Sequence, residues 1–436
     1  MSVDGRRAYA AAACAIVLSV CVAVFAHATV NAASASRESQ TANGETSTET
    51  RALWVLRSSL ASPQSIATLV ASARDHGFNT LLVQVRGRGD AYYLGGVEPR
   101  APELLRQPGN FDPLATVLDA GHAAGLRIHV WINVNLVSSA TELPAAREHL
   151  IYRHPAWLMV PRDIGQQLAA IDTDSPGYVG TLARWTRAKP TEVEGLYTSP
   201  VLPEAAEYIN GIVGDLVRRY AVDGVHFDYA RYPNDRFDYS RGAITEFRNA
   251  VRNKLPEATR RTLDAQEATD LFAYPDGLPE DWRSFRVARM TALMNRLHAT
   301  VKKERPEALV SLAVAPDLAE ARRSRLQDWG AWLEAGLADA VCPMAYTTEP
   351  TRFAEQIEAV RAAAGSRAVW AGIGSYRLSP QETIDNILTA RRLGVSGVVL
   401  FSYDSLTNAQ QAAPDYLSLV GRAAFTAPQP AASGSR

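Results

Sequence analysis

Cysteine is nearly absent from this chain of 436 residues, which contains only three. Cys14 and Cys21 lie in an apolar N-terminal segment that we expect to be removed, so that a mature chain keeps only Cys342. An intramolecular disulfide is then excluded, and stability has to come from a buried core. With 47% hydrophobic residues, the chain is long and apolar enough to form one.

The sequence also lacks an excess of charge of either sign. It has 45 basic and 46 acidic residues, and only four of the basic residues are lysines. Proteins that bind nucleic acids present a basic surface, so this balance argues against a nucleic-acid partner. The zinc motifs His-Glu-x-x-His and His-x-x-Glu-His are absent, as is the Gly-x-Ser-x-Gly turn of serine hydrolases. We therefore expect neither a metal nor a cofactor.

The first 28 residues have the pattern of an export signal. Arg6 and Arg7 precede an uncharged run over residues 8–25, and Ala26-His27-Ala28 has the small-x-small form of a cleavage site. An uncleaved anchor is the alternative, because the apolar run is nearly long enough to span a bilayer. We expect a periplasmic or extracellular protein that touches the membrane only if this segment stays attached.

Composition divides the rest of the chain into three parts. Residues 29–50 are rich in Ser, Thr, Asn, Ala and Glu and predict a flexible linker. Residues 51–422 contain no obvious internal linker and predict one large domain. Residues 423–436 include Ala427-Pro428-Gln429-Pro430 and predict a disordered tail.

Short apolar runs alternate with amphipathic segments eight times within the large domain. The runs predict strands at Arg51–Arg57, Asn79–Arg86, Arg127–Asn133, Gly224–Tyr229, Leu309–Ala315, Ala340–Tyr346, Ala368–Gly374 and Val398–Tyr403. Eight strand–helix units favour a closed (β/α)8 TIM barrel, of the α/β class. A doubly wound open sheet is the alternative, although no Gly-x-Gly-x-x-Gly follows the first strand.

Two connections are much longer than the others. Residues 134–223 follow the third strand and residues 230–308 follow the fourth. In a TIM barrel both insertions begin at the carboxyl ends of the strands, where active sites form. We expect them to form the walls of a groove.

Because side chains alternate along a strand, parity predicts which residues face the inside of the barrel. The inward and strand-end set combines aromatic rings with amide, imidazole and guanidinium groups, a mixture suited to binding sugars. The predicted substrate-binding residues are Arg57, Gln84, Arg86, Trp131, Asn133, His226, Arg231, Tyr346, Trp370 and Tyr403.

Carboxylates at the same rim predict glycosidic bond hydrolysis, which usually needs two carboxyl groups. Asp228, at the carboxyl end of the fourth strand, is the first choice for one of them, and a structural ion pair with Arg231 is the alternative role. Asp317 and Asp404, just beyond strands five and eight, are the candidates for its partner. Glu98 and Glu349 remain open as further choices.

The segment Asp223-Gly224-Val225-His226-Phe227-Asp228 followed by Tyr232-Pro233 resembles the strand-four motif of the glycosyl-hydrolase-like family 10 of bacterial envelope proteins. Further matching segments are Gln84-Val85-Arg86, residues 89–93, Glu98-Pro99, residues 111–114, residues 129–133 and residues 281–283. The sequence departs from the pattern at Val134, where many relatives have proline, and at Tyr229, where others have a second aspartate. At Ala230 it lacks the glutamate of chitinases, which argues against a substrate-assisted mechanism.

This resemblance implies a TIM-barrel glycosidase, with Asp228 at the position of the family's strand-four carboxylate. Some relatives act on peptidoglycan strands from which the peptides have been removed. We therefore expect an exported glycoside hydrolase that cleaves a bacterial envelope polysaccharide. A non-catalytic glycan-binding protein on the same barrel is the alternative.

Overall fold

The computed structural model describes residues 49–410 and 413–425. Eight parallel strands pair in sequence order, and the eighth closes on the first, so the sheet is a closed barrel. The strands are β1 Thr50–Val55, β2 Thr80–Arg86, β3 Arg127–Asn133, β4 Gly224–Asp228, β5 Leu309–Val314, β6 Ala340–Ala345, β7 Ala368–Ile373 and β8 Gly397–Phe401. The TIM barrel is confirmed, and each predicted strand lies within two residues of an observed one.

Helices cover the outside of the barrel and build the two long insertions. Those of the first half are α1 Pro63–Asp75, α2 Pro113–Ala123, α3 Leu150–Arg153, α4 Arg162–Ala169, α5 Pro176–Arg187, α6 Pro203–Arg219, α7 Arg241–Val251 and α8 Glu257–Glu267. Those of the second half are α9 Ala273–Gly277, α10 Pro279–Glu304, α11 Leu318–Ser324, α12 Trp329–Glu334, α13 Pro350–Ala364, α14 Pro380–Arg392, α15 Tyr403–Thr407 and α16 Tyr416–Val420. Among these helices, none is long and apolar enough to span a membrane.

The barrel has an inner and an outer core, as the alternation of side chains requires. The outer core lies between strands and helices and includes Leu53, Val225 and Phe227. The inner core contains Ala52, Trp54, Leu82, Trp131, Ala340, Cys342, Trp370 and Val399. Space inside is tight: a Cβ on Gly224 would lie 2.5 Å from Nδ1 of His129, so β4 can begin there only with glycine.

Each insertion buries a small core of its own. After β3, α3 to α5 pack around residues such as Leu150, Leu168 and Leu182. After β4, α7 to α10 pack around Phe247, Leu263, Tyr274 and Trp282. The insertions are therefore folded parts of the domain, positioned at the carboxyl ends of the strands.

The folded domain extends beyond both predicted limits. Glu49 and Thr50 fall in the predicted linker, yet Thr50 begins β1 and Glu49 accepts two hydrogen bonds from Arg391, at 2.7 and 2.8 Å. At the other end, Phe425 is 8% exposed and packs edge-on against Phe78 with the ring centroids 5.0 Å apart. The predicted signal segment lies outside the described residues.

A buried ion pair anchors the loop that follows β2. Arg86 donates from Nε and Nη2 to the two carboxylate oxygens of Glu98, at 2.8 and 2.7 Å, and its Nη1 donates to the backbone oxygen of Asn133. The side chains of Arg86 and Glu98 are 1% and 0% exposed. The pair therefore holds the loop against β3, and the buried Arg86 side chain is not among those that line the cavity at the barrel mouth.

Glu98→Gln is expected to destabilise the fold by about 3–5 kcal/mol, because it leaves the Arg86 charge buried without its counter-ion. Urea denaturation measures the change. Asp276→Asn is the matched control, since it breaks a bidentate pair with Arg162 whose side chains are 30% and 47% exposed. A loss of about 1 kcal/mol or less is expected there, and equal losses in the two variants would contradict the anchoring role.

Candidate active site

The carboxyl ends of the strands surround a cavity of about 380 Å³, here called the mouth cavity. Its walls combine aromatic rings, amides, three arginines and two carboxylic acids. The lining residues are Trp54, Leu56, Arg57, Ser58, Gln84, Gly87, Arg88, Glu103, Trp131, Asn133, Leu136, Asp228, Tyr229, Arg231, Ala313, Met344, Tyr346 and Phe401.

Asp228 is the last residue of β4 and lies beside Asn133 in the strand register. It is 7% exposed, and its Oδ1 accepts a hydrogen bond of 2.6 Å from the backbone N–H of Tyr229. Tyr229 adopts a left-handed conformation with φ of 51°, which ends the strand. The turn thus directs a backbone donor at the carboxylate while the side chain still faces the cavity.

Burial controls the ionisation of Asp228. It raises the pKa of the carboxyl from its ordinary 3.8 to about 6, although the Arg231 guanidinium and the Tyr229 N–H act in the opposite direction. Arg231 also pairs with a second carboxylate, because its Nη2 donates a hydrogen bond of 2.9 Å to Glu194 Oε1. Glu194 also accepts a hydrogen bond of 2.7 Å from the Tyr197 hydroxyl. A carboxyl group with this pKa exchanges its proton close to neutral pH, which suits acid–base catalysis.

Aromatic rings form the floor of the cavity. Trp54 lies edge-on to Tyr346 and to Phe401, with the ring centroids 6.2 and 5.9 Å apart. Trp131 donates from Nε1 to Asn133 Oδ1 at 2.8 Å. Asn133 in turn donates from Nδ2 to the Gly87 oxygen at 2.7 Å. Flat aromatic rings held in fixed positions are suited to stacking against sugar rings.

His226 lies beneath this floor and does not line the cavity. It is fully buried, and its Nε2 accepts a hydrogen bond of 3.0 Å from Trp54 Nε1. Its Nδ1 therefore carries the proton and donates to Ser311 Oγ at 2.9 Å. Burial lowers the pKa of His226 to about 3, so the ring is neutral. The sequence predicted that His226 binds substrate, whereas the structure makes it a support for Trp54.

The predicted site residues separate into two groups. Arg57, Gln84, Trp131, Asn133, Asp228, Arg231 and Tyr346 line the mouth cavity. Arg86 is engaged with Glu98, and Trp370, 3% exposed, lies in the inner core below. Tyr403 faces the outer core instead, because β8 ends at Phe401 and the chain turns into α15. Phe401 takes the position at the cavity that was predicted for Tyr403.

The structure does not bring Asp317, Asp404 or Glu349 into the mouth cavity. Asp317 caps α11 and accepts a hydrogen bond from the Glu320 N–H at 2.8 Å. Asp404 accepts hydrogen bonds from the Leu56 N–H and from two serine hydroxyls, at 2.7, 2.9 and 2.7 Å. Glu349 lies at the N-terminus of α13. Asp404 therefore ties the segment after β1 to the first turn of α15.

Glu103 is the second carboxylic acid among the described residues that line the cavity. It lies on a short 3-10 turn, Pro102–Arg106, in the connection between β2 and α2, and it is exposed. Sequence reasoning also missed Trp54 and Arg88. The parity of β1 would have indicated Trp54, since residues 52, 54 and 56 share a face. Nothing in the local sequence indicated Glu103.

Within the part of the chain that the structure describes, no group of three or more His, Cys, Asp or Glu side chains is arranged to hold a metal ion.

The fold resembles those of glycoside hydrolases of known structure. The glycoside hydrolase domain of PgaB (BpsB) from Bordetella bronchiseptica superposes with a TM-score of 0.59 at 16% identity, over 87% of this chain and all of that domain. A β-galactosidase from Rahnella sp. R3 gives a TM-score of 0.54 at 16% identity, over 82% of this chain and 50% of the enzyme. The (β/α)8 barrel is thus a fold that this chain shares with glycoside hydrolases of known structure.

The chain belongs to the glycosyl hydrolase-like 10 family, whose model matches residues 49–373. Glycosyl hydrolase DigH from Escherichia coli K12 is 25% identical over 278 residues, which make up 62% of this chain and 55% of that protein. Glycosyl hydrolase YngK from Bacillus subtilis is 25% identical over 210 residues, 44% of this chain and 35% of that protein. The chain thus spans about half or less of the length of these relatives.

Asp228→Asn is expected to stabilise the fold at pH 7 by up to about 3 kcal/mol, since each tenfold change in proton affinity is worth about 1.4 kcal/mol. The raised pKa means that folding favours the neutral carboxyl. The free energy of folding gained by keeping Asp228 protonated is fully present below about pH 4 and is lost as the pH rises through 6. Asparagine stays neutral, so its advantage should shrink as the pH falls from about 7 to about 4.

Urea denaturation at pH 7 and at pH 4 measures this difference. Asp119→Asn, which removes an exposed carboxylate on α2, is the matched control and should show no such pH dependence. A stability gain for Asp228→Asn that is absent at pH 7, or equal at both pH values, would disprove the raised pKa.

Proposed function

We propose that this protein is an exported glycoside hydrolase that cleaves a bacterial envelope polysaccharide, and that Asp228 is its general acid. The main support is a buried carboxyl group with a pKa of about 6 in a cavity with an aromatic floor. A raised pKa is the property that lets a carboxylic acid donate a proton to a leaving oxygen near neutral pH. Family membership supports the reaction class, and the N-terminal sequence supports export.

Glu103 supplies the second carboxyl group in this proposal. Hydrolysis of a glycosidic bond needs a proton donor on one side and a base or nucleophile on the other. Glu103 lies on the loop after β2, whereas Asp228 ends β4, so the two approach the cavity from different parts of its rim. A sugar ring stacked on the floor would have its glycosidic bond between them.

Peptidoglycan strands freed of their peptides are the substrate we propose. The support is the resemblance of the strand-four segment to a family of which some members act on such strands. The two relatives named glycosyl hydrolases support the reaction class. Leu136 of the insertion after β3 and Tyr229 and Arg231 of the connection after β4 line the mouth cavity, and peptides attached at alternate sugars would add bulk to a strand bound there.

Asp228→Asn is expected to slow release of reducing ends from amidase-stripped sacculi by about 10²–10⁴-fold, because the amide is not acidic enough to transfer a proton to the leaving oxygen. Wild-type protein should release reducing ends from stripped sacculi and few from intact ones. Sedimentation of the variant with the stripped glycan checks that binding survives. Binding without turnover in the wild type would instead identify a non-catalytic glycan-binding protein.

Glu103→Gln is expected to lower kcat by about 10²-fold or more while leaving the alkaline fall of kcat/KM near pH 6, which belongs to Asp228. Glu280→Gln, an exposed position on α10 away from the mouth cavity, is the matched control. Activity of Glu103→Gln equal to that of Glu280→Gln would remove Glu103 from the mechanism. It would leave the role of Asp228 intact.

A further inference from the structure

Two arginines on one wall of the mouth cavity have no part in the acid–base chemistry. Arg57 begins the 3-10 turn after β1, and Arg88 follows β2 by two residues. The guanidinium of Arg57 packs against the backbone of Gly87, where a Cβ would collide with its Nη1. Both side chains line the cavity together with Asp228.

Among the described residues, neither guanidinium donates a hydrogen bond to a carboxylate. The carboxylate nearest to Arg57 is that of Asp90, with Nη1 and Oδ1 4.0 Å apart, which is too far for a hydrogen bond. Asp90 Oδ1 accepts instead from the Arg88 backbone N–H, at 3.0 Å. The Arg88 side chain forms no ion pair with any residue that the structure describes. The third arginine of the cavity, Arg231, differs because Glu194 balances it.

The backbone that carries Arg88 is nevertheless fixed. The N–H of Arg88 binds Asp90, and its carbonyl oxygen accepts a hydrogen bond of 2.8 Å from His149 Nε2. The next residue, Gly89, has φ of 71°, and a Cβ there would lie 2.6 Å from His149 Nε2. Burial and the charge of Arg57 lower the pKa of Arg88, while the carboxylates of Asp90 and Glu103 act in the opposite direction. A fixed backbone thus presents the exposed Arg88 side chain, which has no hydrogen-bonded counter-ion among the described residues, at the cavity.

Such an arrangement is unfavourable for a neutral ligand. A glycan that fills the cavity displaces water from both guanidinium groups, and an unpaired buried charge is costly. A carboxylate removes this cost, because guanidinium groups bind its two oxygens with strong, charge-assisted hydrogen bonds. The free energy of binding therefore favours a sugar with a negative charge on this side.

We propose that Arg57 and Arg88 form a carboxylate-binding subsite, and that the glycan cleaved at Asp228 carries acidic sugars. This inference rests on the proposed function and narrows its substrate class. The carboxylate has two possible sources: the lactyl ether of a muramic acid or the C6 carboxyl of a uronic acid. In intact peptidoglycan the lactyl carboxyl forms an amide with the peptide and has no charge, so this subsite would select peptide-free strands.

Affinity for three soluble oligosaccharides tests the subsite directly. They are a peptide-free peptidoglycan tetrasaccharide, the same compound with its carboxyl groups reduced to alcohols, and a uronic acid tetrasaccharide. Calorimetry measures the affinity of the full chain carrying Asp228→Asn, so that no ligand is cleaved. A second protein carries Arg57→Gln and Arg88→Gln in addition to Asp228→Asn. Arg187→Gln, at an exposed position on α5, is the matched control because it removes one positive charge away from the mouth cavity.

The protein should bind the carboxylated peptidoglycan or uronic acid compound about ten- to a hundredfold more tightly than the reduced one. The two arginine substitutions together should remove this preference, and Arg187→Gln should not. Preference for the peptidoglycan compound assigns the subsite to lactyl carboxyls, and preference for the other assigns it to uronic acids. Equal affinity for carboxylated and reduced peptidoglycan compounds, with no preference for the uronic acid, would overturn the inference.

Turnover by the protein with Asp228 intact separates the two proposals. If the carboxylate preference is present but no oligosaccharide is hydrolysed, the proposed hydrolase function fails and the subsite stands. If the carboxylated and reduced strands are bound and hydrolysed equally well, the hydrolase function stands and the subsite fails.

Discussion

The burial of a carboxyl group at the end of β4 is the constraint on which the other features of the site depend. Asp228 is 7% exposed, and its carboxylate accepts a hydrogen bond of 2.6 Å from a backbone N–H. Because Arg231 also pairs with Glu194, its positive charge does not cancel the cost of burying the Asp228 carboxylate. Asp228 therefore keeps its proton up to a pH near neutrality, where it can donate that proton to a glycosidic oxygen. The same burial costs folding free energy at neutral pH, a cost that active sites commonly carry.

A layer of fixed groups beneath and around the cavity keeps this geometry. His226 shares the inner face of β4 with Asp228 and holds Trp54 through its Nε2, while Ser311 fixes the other ring nitrogen. The Arg86–Glu98 pair fixes the loop that carries Arg88 and Glu103 toward the mouth, and Asp404 ties the segment after β1 to α15. The charged and polar groups at the barrel mouth therefore divide into those that face the cavity and those that hold the cavity-facing groups in position.

Most of the fold and about half of the site follow from alternation along the strands. Parity correctly placed Trp131, Asn133, Asp228 and Tyr346 at the cavity, because a closed barrel gives each strand one inward face. It failed where a strand ended early, as at Tyr403, and where a polar residue had a buried partner on a separate loop, as Arg86 has in Glu98. Glu103 and Arg88 lie on loops, where the chain path depends on tertiary contacts such as that of His149 with the Arg88 carbonyl. No local pattern encodes such contacts.

Catalysis by Asp228 requires that a glycosidic bond lie beside its carboxyl group in the mouth cavity when substrate is bound. A crystal structure of the Asp228→Asn protein with a peptide-free peptidoglycan tetrasaccharide tests this requirement most directly. We expect a sugar ring stacked on Trp54 or Tyr346, with the glycosidic oxygen within hydrogen-bond distance of the amide at position 228. A tetrasaccharide bound outside the cavity, or bound within it with no glycosidic oxygen near position 228, would contradict the proposed role of Asp228.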